Sequence, residues 1–154
     1  MIRSKKKRIG IFGGSFDPPH HGHLKISKLA IKKLSLDRVY WCVTKKNPFK
    51  KKAFFSLSER IKKSKIITSK TKKIKIKFFE DKIKSINTVD LMVYLEKKNK
   101  KNMFFLIIGS DNLIKFHKWK NWKLLLKLTE IVVFSRKDYD KKAKKSVIMR
   151  LVKK

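Results

Sequence analysis

Hydrophobic positions along this chain switch between two spacings. Short apolar runs alternate with stretches whose apolar residues recur every three or four positions. The first run covers residues 9–12. A helical stripe follows over residues 22–34, where Leu24, Ile26, Leu29, Ala30, Ile31 and Leu34 share a face. A second strand is predicted over residues 38–44. Residues 45–55 read as a lysine-rich loop containing Asn47-Pro48. Ser56-Leu57-Ser58-Glu59 then forms a capping box, with the serine hydroxyl on the N3 amide and the glutamate reaching back. The helix it starts runs to about Ile67.

Residues 74–78 alternate with period two, as a half-buried strand does. A connection through Glu80 and Ser85 leads to a helix over residues 88–98, with Val89, Met92, Val93 and Leu95 facing inward. Residues 103–108 are continuously apolar and end at Gly109, the pattern of a central parallel strand. Short helices are expected over residues 111–116 and 119–128, a fifth strand over 130–135, and a last helix over 142–152. Strands alternating with helices predict an α/β fold: a doubly wound parallel sheet of about five strands with helices on both faces.

Composition adds less than its extremity suggests. The 154 residues carry a formal net charge of +33, which raises a nucleic-acid reading. Only six of the 44 basic residues are arginine, and the lysines occur in every segment. A dedicated nucleic-acid surface clusters its charge and favours arginine for bidentate contacts. No specific nucleic-acid partner is therefore expected. The lysines should still draw anionic substrates, and non-specific nucleic acid at low salt. No stretch of about 18 apolar residues exists, so no membrane span is expected. A single cysteine, Cys42, lies in an apolar strand and suits a cytoplasmic protein with an inert buried thiol. Nothing in the pattern fixes an oligomeric state.

Candidate chemistry concentrates after the first strand, in Gly13-Gly14-Ser15-Phe16-Asp17-Pro18-Pro19-His20-His21-Gly22-His23. A glycine turn between a strand and a helix lets the backbone approach an anion closely. The helix N-terminus adds free N–H donors. His20 and His23, three apart, can then hydrogen-bond phosphate oxygens. The chain has neither G-x-x-x-x-G-K-[ST] nor, after the first strand, G-x-G-x-x-G, so it is not a P-loop or dinucleotide fingerprint. Asp17 is the one carboxylate near the histidines, and no metal-ligand set is expected.

These residues resemble the signature of the nucleotidylyltransferase superfamily, with its H-x-G-H motif. The resemblance implies a Rossmann-like core over residues 1–154, ATP as substrate and Mg²⁺ as its helper. It also implies that His20 and His23 are catalytic, contacting the phosphates of ATP, and that Gly13, Gly14, Ser15, Phe16 and Gly22 bind ATP.

A second constellation begins at Gly109 and runs through Ser110, Asp111, Phe116 and His117 to Trp119 and Trp122. It follows the end of a central strand, where ligands bind in open α/β sheets. Trp119 and Trp122 are expected on one helix face, with Trp122 in the core and Trp119 free to stack on a flat ring. The spacing of Asp111 and Trp119 is similar to that of the nicotinate-nucleotide adenylyltransferase family, in a spelling close to alphaproteobacterial versions. That resemblance implies adenylyl transfer from ATP to nicotinate mononucleotide. Trp119 would stack on the nicotinate ring, while Gly109 and Asp111 would lie on the adenosine side. Asn87 and Thr88 would fall in a loop that reads the nicotinate carboxylate, although the family has tyrosine at Asn87 and threonine at Leu91. Lys50, Arg60 and Arg136 match basic positions of the family.

The family's serine-serine-threonine-x-isoleucine-arginine motif, which grips the outer phosphates of ATP, is not matched before Lys154. Ser146-Val147-Ile148-Met149-Arg150 lacks its second hydroxyl and its spacing. A chain lacking that motif is expected to be weakened or inactive. The alternatives to nicotinate-nucleotide adenylyl transfer are a pantetheine-phosphate adenylyltransferase, a basic nucleic-acid-binding module and an inactive fragment.

Overall fold

A computed structural model of the chain describes residues 6–45 and 52–135. Five strands form one sheet: β1 (Arg8–Gly14), β2 (Arg38–Val43), β3 (Ile74–Lys77), β4 (Met103–Gly109) and β5 (Glu130–Phe134). All neighbours are parallel, in the order β3-β2-β1-β4-β5. The chain moves outward from β1 to β3 on one side, then crosses to β4 and β5 on the other. Strand order therefore reverses between β1 and β4.

The connecting helices are α1 (His21–Leu34), α2 (Leu57–Ile67), α3 (Glu80–Ile83), α4 (Thr88–Lys98), α5 (Ser110–Lys115) and α6 (Trp122–Leu128). A 3₁₀ turn, Phe116–Lys118, lies between α5 and α6. The short α3 replaces part of the expected connection. The expected helix over 142–152 lies outside the described residues.

The strand pleat explains why both faces are apolar. Ile9 and Ile11 of β1, with Phe104, Leu106 and Ile108 of β4, face a core made with Val89, Met92 and Leu95 of α4 and Leu125 of α6. Phe12 of β1, Val39, Trp41 and Val43 of β2, and Phe105 and Ile107 of β4 face the other way. There they meet Ala30 of α1, with Leu57 and Ile61 of α2 packed alongside. Trp41 is wholly buried, and its indole N–H donates to Ser27 Oγ at 2.8 Å. Truncating a buried ring of this kind costs about 3–5 kcal/mol.

Local signals stop the helices where the sequence changes character. Ser35 takes the left-handed conformation at the end of α1 (φ 51°), and Leu36 N–H returns to Ile31 O. Ser56 caps α2 by accepting from Glu59 N–H at 3.2 Å. Glu59 does not reach back to the Ser56 amide; its carboxylate accepts from the Ser56 hydroxyl at 2.9 Å instead.

The expected helix over 119–128 starts late. Trp119 is extended (φ −72°, ψ 144°), Asn121 is left-handed (φ 47°), and α6 begins at Trp122. Asparagine tolerates that backbone better than most residues. The break moves Trp119 off the helix, so the two tryptophans do not share a helix face.

Candidate active site

The crevice at the carboxyl ends of β1 and β4 is where a doubly wound sheet binds ligands, because the flanking connections diverge there. Gly13 and Gly14 end β1, and Gly109 ends β4. The turn expected at the glycines falls later. No described glycine has positive φ; the left-handed residue is Phe16 (φ 49°). Its strain is held by burial. Phe16 stacks on Trp41 with centroids 4.7 Å apart and planes 11° apart. A Cβ on Gly13 would lie 4.0 Å from the Cys42 carbonyl oxygen, and one on Gly14 would lie 3.4 Å from the Phe16 ring.

His20 is the N-cap of α1. Its Nδ1 accepts from Gly22 N–H at 3.1 Å, and His23 Nδ1 accepts from His20 N–H at 3.1 Å. The two imidazoles thus form a reciprocal capping box. They stack with centroids 3.8 Å apart, and His23 rests on Phe16 at 4.8 Å. An acceptor Nδ1 in a neutral ring puts the proton on Nε2. Each ring therefore carries its N–H on Nε2. Gly22 is required by this packing: a Cβ there would lie 2.8 Å from the His20 ring.

Two charged side chains that sequence reasoning underused fix the loop. Asp17 accepts from Phe54 N–H at 2.7 Å and Phe55 N–H at 2.9 Å, joining the histidine loop to the segment before α2. Arg60, matched only as a basic position, is buried and donates to main-chain carbonyls. A sequence signal existed in its identity: an arginine in a chain that uses lysine almost everywhere else.

On the neighbouring strand, Asp111 occupies the first turn of α5. A Cβ on Gly109 would run into the Asp111 carboxylate and lie 3.0 Å from the Phe134 ring, so glycine lets the aspartate fold back over the strand end. Trp119 is half-buried, 5.0 Å from the Phe116 ring, and Trp122 packs edge-on to Phe116 at 6.4 Å. Both rings pack against the α4–β4–α6 core. Trp119 itself stands on an extended segment after the Phe116–Lys118 turn.

Asn87 is the N-cap of α4 and Thr88 its first residue. Asn87 N–H donates to Ser85 Oγ at 3.0 Å, and Ser85 Oγ donates to Asp90 at 2.6 Å. Lys120 completes the chain at 3.2 Å from the same carboxylate. The Ser85 hydrogen bond, helped by Lys120, holds the Asp90 carboxyl below its usual range. The Asn87–Thr88 turn is thereby tied to the residue beside Trp119.

Gly13, Gly14, Ser15, Phe16, His20, Gly22 and His23 therefore belong to one loop and helix start. Gly109 and Asp111 lie on the adjacent strand end. Lys50 and Arg136 fall outside the described residues. Cys42 is buried, as expected, and that burial pushes its thiol up to about 12. Among the described residues no group of three His, Cys, Asp or Glu side chains gathers as a metal cage, and no helix is long and apolar enough to cross a membrane.

The cytidylyltransferase-like family matches residues 11–152. A protein of Pelagibacter ubique named "Probable nicotinate-nucleotide adenylyltransferase" is 49% identical over 95% of this chain and 81% of its own length. One of the same name from Ruegeria is 36% identical over 83% of this chain and 67% of its own. Among solved structures, Plasmodium falciparum nicotinic acid mononucleotide adenylyltransferase complexed with NaAD superposes with a TM-score of 0.75. It is 20% identical, and the match covers 92% of this chain and 72% of that one.

Proposed function

Since this chain belongs to the cytidylyltransferase-like family, in its nicotinate-nucleotide adenylyltransferase branch, we propose that it joins ATP to nicotinate mononucleotide. The products are nicotinate adenine dinucleotide and pyrophosphate. The observation that carries this reading is the stacked His20–His23 pair at the β1/β4 switch point, with both Nδ1 atoms committed to the helix cap.

The 5′-phosphate of the mononucleotide attacks the α-phosphorus of ATP. A new P–O bond forms in line as the bond to the bridging oxygen of pyrophosphate breaks. A phosphate dianion needs no strong base, so the protein's work is positioning and charge stabilisation. His20 and His23 present Nε2–H to the α- and β-phosphate oxygens, where charge builds in the transition state. Main-chain groups from Gly13 to Phe16, with Gly22, line the phosphate path. Gly109 and Asp111 form the adenosine side.

Trp119 stacks on the nicotinate ring, and the Asn87–Thr88 turn reads its carboxylate. Lys50 and Arg136 belong to the same proposal as basic, substrate-binding residues. Mg²⁺ would enter as part of the Mg–ATP substrate and would offset charge on its phosphates. A cytoplasmic setting, where ATP is supplied, is part of the same reading.

The test is a product assay with ATP, Mg²⁺ and one of three acceptors: nicotinate mononucleotide, nicotinamide mononucleotide or phosphopantetheine. Dinucleotide and pyrophosphate with the nicotinate acceptor alone is the expected result. Product only with phosphopantetheine, or none from folded protein, contradicts the proposal.

A further inference from the structure

We propose that Arg60 is a positioning residue for adenylyl transfer, shaping the nucleotide loop through main-chain carbonyls that its guanidinium holds. The inference rests on the adenylyl-transfer reading above. Arg60 is 2% exposed, yet no step of the reaction uses it. Its Nη1 donates to Ser15 O at 2.8 Å and Thr44 O at 2.7 Å. Its Nη2 donates to Lys45 O at 2.9 Å, and its Nε to Phe55 O at 3.1 Å. One side chain on α2 thereby fixes three separate segments: the turn after β1, the end of β2 and the entry to α2.

Each segment is also held from a second side. Thr44 N–H donates to Gly14 O at 2.9 Å. Lys45 N–H donates to Glu80 at 2.7 Å. Phe55 N–H donates to Asp17, three residues before His20. Ser15 O, taken by Arg60, directly precedes the left-handed Phe16 that starts the turn toward His20.

Burying a cation on carbonyl partners is costly, and packing alone is served better by an apolar side chain. The guanidinium supplies two things here that an apolar side chain does not. Its planar fork fixes the directions of four carbonyls at once. Its charge lies beneath the loop that receives phosphates, where solvent screens it little. Lysine keeps the charge and loses the fork, which separates the two contributions.

The test compares wild type, Arg60→Lys and Arg60→Ala in two arms. In the first, turnover with ATP and nicotinate mononucleotide is measured beside melting temperature. Arg60→Lys is expected to lose at least about fivefold in kcat, with KM for the mononucleotide within about twofold. Guanidinium chloride should restore part of the Arg60→Ala activity, and potassium chloride at equal ionic strength should not.

The second arm needs no substrate. Amide hydrogen exchange in residues 14–20 and 52–56 should be about tenfold faster in Arg60→Lys, with residues 103–109 unchanged. Should wild type fail to turn over, the adenylyl-transfer reading falls while this arm still decides the clamp. Should Arg60→Ala not fold, Arg60→Lys decides. Wild-type kcat in Arg60→Lys, exchange in residues 14–20 like wild type, or an activity loss that only follows the unfolded fraction would overturn the proposal.

Discussion

The imidazoles of His20 and His23 stack 3.8 Å apart, and each spends its Nδ1 on a backbone N–H at the start of α1. The same atoms that close the helix orient the rings. Capping and the proposed phosphate binding are therefore separable by substitution, because they use opposite nitrogens of each ring.

His20→Ala removes both roles. It should lower kcat by well over tenfold and cost about 1 kcal/mol of stability, the usual value of an N-cap. His20→Asn keeps a side-chain acceptor suited to the cap and loses the Nε2 donor. It should recover most of the stability and little of the activity. Thermal unfolding beside steady-state turnover checks this; an active His20→Ala enzyme removes His20 from the chemistry.

Gly22→Ala makes the same separation from the other side of the contact. Alanine normally stabilises a helix relative to glycine by about 1 kcal/mol. Here the new methyl would sit 2.8 Å from the His20 ring and must displace it. Activity should fall more than about tenfold while melting changes by only a few degrees. Unchanged turnover would show that the His20 ring position is not critical.

Trp119 is half-buried against Phe116, so its loss should be read through substrate affinity first. Trp119→Ala should raise KM for nicotinate mononucleotide by about tenfold or more, in line with the loss of an aromatic stack. Trp119→Phe should recover part of that, and KM for ATP should move little in either variant. Equal increases for both substrates would point to general disruption of the α5–α6 segment.

Asp90 gives a pH prediction. Its folded pKa lies below the ordinary 3.8, first through Ser85 and then through Lys120. A depressed carboxyl pKa stabilises the fold above the unfolded value, and that contribution is lost as pH falls through the folded value. Asp90→Asn should therefore be less stable than wild type near neutrality, and the difference should close in acid below 3.8. Denaturant unfolding across pH measures it. A gap that is constant down to strong acid would contradict the ionic origin.

Much of this was legible in the chain. Period-two and apolar runs placed all five strands to within about two residues, since each is bounded by a polar or glycine stop. The histidine pair was legible because H-x-G-H sits on a strand–helix junction. The break at Asn121 was not, because Trp119 and Trp122 at helical spacing fit an uninterrupted helix equally well until tertiary packing decides. Phe16 was read as an ATP-binding residue of the loop and not as its left-handed, buried turn; that backbone is packed on Trp41, which is 25 positions away in sequence. Arg60 was visible only as a rare arginine. The described arginines Arg8, Arg38 and Arg60 all donate to main-chain carbonyls, a use that explains arginine among so many lysines.

The most direct measurement for the histidine pair is nitrogen-15 NMR of the imidazoles of His20 and His23, with and without Mg–ATP. The account predicts a neutral Nε2–H tautomer in the free protein, large changes at both Nε2 atoms on adding Mg–ATP, and Nδ1 retained as acceptor. Signals at both nitrogens that ignore saturating Mg–ATP, or a proton on Nδ1 of either ring in the free protein, would contradict it.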